Sequence, residues 1–210
     1  MKKNPFCVFF SLLVIAFTLS ACNVDPQGEN LELCKSAFVL LHETEVFHYS
    51  THTLFENSGE QSESTTEAWH NGKDFTSYTY SDTGESWLLY KDGQLFSKMN
   101  GDEVWFQYGE VSTVALPFWK TNDWSDMALQ VVEITKTDGD TFITCAPKGR
   151  SDDYSISFRF IGDELISHIV HNTTLDAHGI QWDMTTTYTI HKSNQSEIVS
   201  KISAVHEQIS

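Results

Sequence analysis

Positive charge is scarce in this chain: 210 residues carry 13 Lys plus Arg against 29 Asp plus Glu, a formal net charge of −16. Phosphate backbones are bound by cations that displace counterions, so nucleic acid is excluded as an expected partner. The same sign argues against adhesion of the protein surface to anionic lipid, and keeping the chain soluble is the plain role of such a surface. Cysteine is sparse too, with Cys7, Cys22, Cys34 and Cys145 showing no paired spacing of the kind that holds zinc. Catalytic signatures are also missing. The sequence has no Gly-x-Ser-x-Gly elbow, no Gly-x-Gly-x-x-Gly fingerprint and no phosphate loop.

Histidine is the residue that most invites an enzymatic reading, since nine are present and His42, His48 and His52 lie close together. In a strand, His48 and His52 share a side but stand about 13 Å apart at ~3.3 Å per residue, too far to share one small ion easily. His168 and His171, three apart, face opposite ways. The acidic pairs Asp152-Asp153 and Asp163-Glu164 fall at turns and strand ends, where solvation accounts for them without glycosidase chemistry. The reading is therefore of a non-enzymatic protein with no catalytic residue, no metal ligand and no cofactor.

What the chain does have begins at its N-terminus. Lys2 and Lys3 precede the apolar run Phe6 to Phe17, and Leu19-Ser20-Ala21-Cys22 follows. This is a secretory signal, too short for a comfortable permanent span. Its last four residues resemble the lipobox of bacterial lipoproteins, in which the cysteine thiol accepts a diacylglyceryl group and the chain is cut just before it. By that resemblance residues 1–21 are the signal peptide and Cys22 is the lipidated first residue. Each buried methylene contributes about 0.8 kcal/mol, so two acyl chains hold a protein to a membrane. The location expected is the extracytoplasmic face of a cell membrane, the outer one if the organism has two. The mature chain keeps Cys34 and Cys145, which are either joined in a disulfide or buried separately as thiols.

Residues 22–30, with Asp25, Pro26, Gly28 and Glu29, read as a tether, and 31–210 as a single domain. A helix is expected from Leu31 to about Thr44, with Leu33, Ala37, Leu40 and Leu41 on one side. Beyond Glu45 the apolar period becomes two, and turn signals recur at Asn57-Ser58-Gly59, Asn71-Gly72, Asp82-Thr83-Gly84, Asp92-Gly93, Asn100-Gly101, Asp138-Gly139, Gly162-Asp163 and His178-Gly179. Turns so close together predict an antiparallel meander, because parallel strands need crossovers of a dozen or more residues. From Ile180 to Ile190 one face carries Ile180, Trp182, Met184, Thr186, Tyr188 and Ile190, and the other Gln181, Asp183 and threonines, so one side meets a core and the other water. Tyr154, Ile156, Phe158 and Phe160 repeat the scheme. An irregular aromatic excursion interrupts it around Leu116, Pro117, Phe118, Trp119 and Trp124. A closing helix is expected after Asn194, with Glu197 in capping-box spacing and the stripe Ile198, Ile202, Val205 and Ile209.

The segments Glu67-Ala68-Trp69-His70-Asn71-Gly72-Lys73-Asp74-Phe75 and Trp87-Leu88-Leu89-Tyr90-Lys91-Asp92-Gly93-Gln94-Leu95-Phe96, set in this order of parts, resemble the LolA-like and LppX-like group of exported bacterial proteins. The resemblance implies an open half-barrel closed by helices over an apolar cavity, and a role in binding or carrying acyl chains. The fold class expected is α+β and mainly β: a curved antiparallel meander sheet covered by an N-terminal helix, a short aromatic lid and a C-terminal helix. Leu116, Phe118, Trp119 and Trp124 are the expected cover of an apolar ligand site, with Phe158, Phe160, Trp182 and Met184 in its wall. The partners expected are the membrane, through the lipid on Cys22, and a lipid or acyl-chain ligand. The alternative is an interaction or sensory module of the cell envelope with a packed core, which would bind another envelope protein.

Overall fold

The computed structural model describes residues 26–110, 128–149, 153–175 and 179–209. Within them the chain runs through helix α1 (Pro26–Glu43), strands β1 (Val46–Asn57), β2 (Glu60–Asn71), β3 (Phe75–Ser81), β4 (Gly84–Lys91), β5 (Gln94–Met99), β6 (Phe106–Glu110), β7 (Leu129–Thr137), β8 (Asp140–Pro147), β9 (Tyr154–Ile161), β10 (Glu164–Leu175) and β11 (Gln181–His191), and helix α2 (Gln195–His206). The strands form one antiparallel sheet in the order β6-β5-β4-β3-β2-β1-β11-β10-β9-β8-β7. Two meanders therefore meet at the β1–β11 pair, and among the described residues β6 and β7 leave the sheet open at both ends. This is the antiparallel meander expected from the turn spacing, and it is open as the resemblance implied. Its tight hairpins include Asp92-Gly93 and Asp138-Gly139, where both residues have positive φ (52° and 82°, 49° and 91°) as turns matching strand twist require.

Helix α1 begins at Pro26, so residues 26–30, expected in the tether, are helical. Proline fits a first turn because its missing N–H has no intrahelical partner there. Helix α2 starts as expected: Asn194 accepts from the Glu197 N–H at 3.0 Å, and the Glu197 carboxylate accepts from the Asn194 N–H at 3.1 Å.

The register shows which face each helix covers. His48 pairs with Trp69, Trp69 with Thr76, Thr76 with Leu89 and Leu89 with Phe96, so these side chains share a face. On that face Ile198, Ile202 and Val205 of α2 pack against Trp69, Leu89 and Phe96. Lys201 lies over the rings of Trp69 and Trp87, 4.7 and 5.4 Å from their centroids. Phe47, one residue before His48, points the other way by strand alternation. It belongs to a second core with Cys34 and Phe38 of α1, Ile143, Cys145, Ile156, Phe158 and Phe160. The two helices thus cover opposite faces and opposite halves of the sheet, rather than closing together over one hollow.

Candidate functional site

Phe38 is the main anchor of α1. Its ring meets Phe158 edge-on at 4.8 Å and His168 at 5.6 Å, and His168 in turn stacks on Tyr188 at 4.7 Å. Phe158, Phe160 and His168 are all 0% exposed, so the space directly beneath α1 is filled with rings. Burial pushes the His168 imidazole down to about 3, leaving it neutral at pH 7.

Beside that packed zone lies a cleft of about 410 Å³. One wall is the helical stripe Leu33, Ala37, Leu40 and Leu41, and the floor is Phe47, Leu165 and Ile190 at the ends of β1, β10 and β11. Thr44, Asp163, Glu164, His191 and Ser193 form a polar rim. The volume falls within the range of about 300–1,000 Å³ typical of small-molecule sites, and an apolar lining with a few polar groups at the mouth suits an amphiphile. At the rim the Glu164 carboxylate pairs with the Lys192 ammonium at 2.7 Å, tying the start of β10 to the chain after β11.

The expected site residues fall in three places. Leu116, Phe118, Trp119 and Trp124 lie outside the described residues, as does Cys22. Phe158 and Phe160 belong to the closed core under α1. Trp182 and Met184 are half-buried on the same face but toward the opposite end of β11, where they pair with Thr174 and Phe55. None of these four lines the cleft. Sequence reading identified the Leu33–Leu41 stripe as an apolar face to be buried, yet Cys34 and Phe38 are the buried residues of α1 and Leu40 is 66% exposed. The available signal was width: the apolar positions of α1 occupy more of its circumference than one seam needs.

Ser193, on the cleft rim, is also the first member of a polar series. Its hydroxyl lies 2.8 Å from His48 Nδ1, and His48 Nε2 lies 3.0 Å from Glu67 Oε1. A carboxylate only accepts, so Nε2 carries the proton of the neutral imidazole and Nδ1 accepts from Ser193. Burial lowers the pKa of His48 despite the hydrogen bond to Glu67. His48 also stacks on Trp69 at 5.0 Å and lies 4.4 Å from the His191 ring, whose Nε2 is 2.9 Å from the Ser50 hydroxyl. Hydroxyl, imidazole and carboxylate stand in the order that activates a nucleophile. Three of the neighbouring backbone donors are already engaged: the Asn194 and Glu197 N–H groups in the capping box, and the Ile198 N–H on the Asn194 carbonyl. The series ties the entry of α2 to β1 and β2. Among the described residues no three His, Cys, Asp or Glu side chains converge on a metal position.

No family model matches the chain, and no curated protein does. Among solved structures it is similar to an uncharacterized conserved protein from Thermus thermophilus (TM-score 0.40, 6% identity, 81% of this chain and 92% of that one). It is similar to the Mycobacterium tuberculosis lipoprotein LppX (TM-score 0.37, 10% identity, 77% of this chain and 96% of that one). It is also similar to a chain of the Pseudomonas aeruginosa MucA/MucB complex (TM-score 0.34, 14% identity, 80% of this chain and 58% of that one). LppX, whose group the sequence resembles, is thus among the structures this fold is similar to.

Proposed function

We propose that this chain is an exported, lipid-anchored binding protein that holds an acyl chain or similar apolar ligand in the cleft between α1 and the ends of β1, β10 and β11, without chemical change to it. The observation that carries the reading is the unfilled apolar volume itself, walled by Leu33, Ala37, Leu40 and Leu41 and floored by Phe47, Leu165 and Ile190. Cys34 and Phe38 are the residues of α1 buried in the core beneath it, while Leu33, Ala37 and Leu41 pack at its margin and present their remaining apolar surface to the cleft. An apolar tail entering the cleft would gain roughly 25 cal/mol for each Å² it removes from water, while its head group stayed at the rim beside Ser193 and the Glu164–Lys192 pair. The signal and the lipobox-like Cys22 support a position at a membrane face, where such ligands are abundant. Organic extraction of the exported protein followed by mass spectrometry tests this, together with titration by a fluorescent fatty acid. Protein that is empty on extraction and does not bind the probe overturns the reading.

A second reading, the envelope interaction module, is favoured by β6. Phe106 and Tyr108 are 52% and 64% exposed on a strand that pairs only with β5 among the described residues. An open edge with aromatic side chains suits strand addition by a partner. Cross-linking from a photoreactive residue at position 108 would yield a discrete adduct with an envelope protein if this reading holds.

A further inference from the structure

The N-terminal helix is thinly held. Cys34 and Phe38 are its only fully buried side chains among the described residues, and the rest of its apolar stripe faces the cleft. Opposite Cys34, on the same face of β8 as Ile143, stands Cys145, and the two are 1% and 0% exposed within one core cluster. The two thiols neighbour one another in that cluster. The neighbouring Cys145 thiol, together with burial, pushes the Cys34 thiol above its usual range.

We propose that in the exported protein Cys34 and Cys145 are joined as a disulfide that fixes α1, one wall of the cleft, to the sheet. The two thiols are free in this structure, but they already face one another, and the secretory signal sends the chain to a compartment where disulfides persist. The oxidant is a disulfide-bearing protein or small molecule of that compartment. One of the two cysteines, as its thiolate, attacks the oxidant's disulfide and releases one of its sulfurs as a thiolate. The thiolate of the other then attacks the mixed disulfide at the first cysteine's sulfur, freeing the second. Two protons leave the cysteines, and two electrons reduce the oxidant to its dithiol. Because both thiols are buried once α1 docks, the exchange takes place before docking. The bond closes a loop that spans β1 through β8, so it restricts the unfolded chain strongly. It stands whatever the cleft holds.

The test is alkylation and mass measurement on the full-length exported chain, unfolded in guanidinium with excess iodoacetamide and no reductant. Neither Cys34 nor Cys145 should be carbamidomethylated, and trypsin should release residues 22–35 and 137–148 as one linked species, assigned to Cys34 rather than Cys22 by fragmentation. Alkylation of both, or linkage of either to Cys22 or to a second chain, overturns the proposal. A second readout is thermal unfolding. Protein reduced while unfolded and refolded with its thiols blocked should melt on the order of 10 °C below the untreated protein, and identical midpoints would also overturn it.

Discussion

Phe47 and His48, consecutive in β1, belong to two different cores. Phe47 packs with Cys34 and Phe38 on one face, while the His48 ring stacks on Trp69 on the other, next to α2. Strand β1 sits at the middle of the sheet between β2 and β11, so its alternating side chains couple the two helices across one layer. The cleft wraps the end of this strand, taking in Val46 and Phe47 together with Ser193 at the entry to α2.

Ala37 sits in the helical wall, at the margin of the core, where a larger side chain would intrude on ligand space. Ala37→Trp should weaken binding of a fluorescent fatty acid roughly tenfold or more, about 1.4 kcal/mol. Unaltered affinity in a folded variant would show that the ligand lies elsewhere.

Acid should destabilise the fold through its buried imidazoles. His168, held near 3, and His48, also lowered, bind protons less readily folded than unfolded. Their contribution is complete above the unfolded value of about 6.5 and is lost as pH falls toward the folded value. For His168 the full window is worth on the order of 5 kcal/mol. Denaturant midpoints measured between pH 7 and pH 4 should fall steadily, and His168→Phe should remove about one proton from the uptake on unfolding. A variant with the same pH slope as the parent would refute the assignment.

The capping box at α2 is a local device with a local cost. Asn194→Ala removes the acceptor for the Glu197 N–H and should cost about 1 kcal/mol in urea unfolding. Asn194→Asp, which keeps an acceptor at the same place, should recover most of it.

Ser193 should be chemically inert although it is hydrogen-bonded to a neutral imidazole. The Asn194, Glu197 and Ile198 N–H groups are spent in and around the cap and are not available to an oxyanion formed there. No p-nitrophenyl acyl ester should be turned over above the level of Ser193→Ala, and a fluorophosphonate should leave Ser193 unlabelled. Stoichiometric labelling would make the protein a hydrolase.

Much of this architecture was legible in local pattern. Alternation located β9 and β11 and the sides on which Phe158 and Tyr188 lie, Asp-Gly pairs located the turns of β4–β5 and β7–β8, and Asn194 with Glu197 located the start of α2. These features depend on residues a few positions apart, whose geometry the backbone fixes before any long-range contact forms. The tertiary structure alone decided which face each helix covers, why Leu33 and Ala37 line a cleft while Cys34 and Phe38 are buried, and how Ser193 comes to meet His48 across 145 positions. It also brought Cys34 against Cys145. The physical reason is the parity of the sheet. Periodicity sorts a strand's side chains into two sets, but only the register summed over the eleven described strands, together with the helices that dock on them, says which set meets which partner.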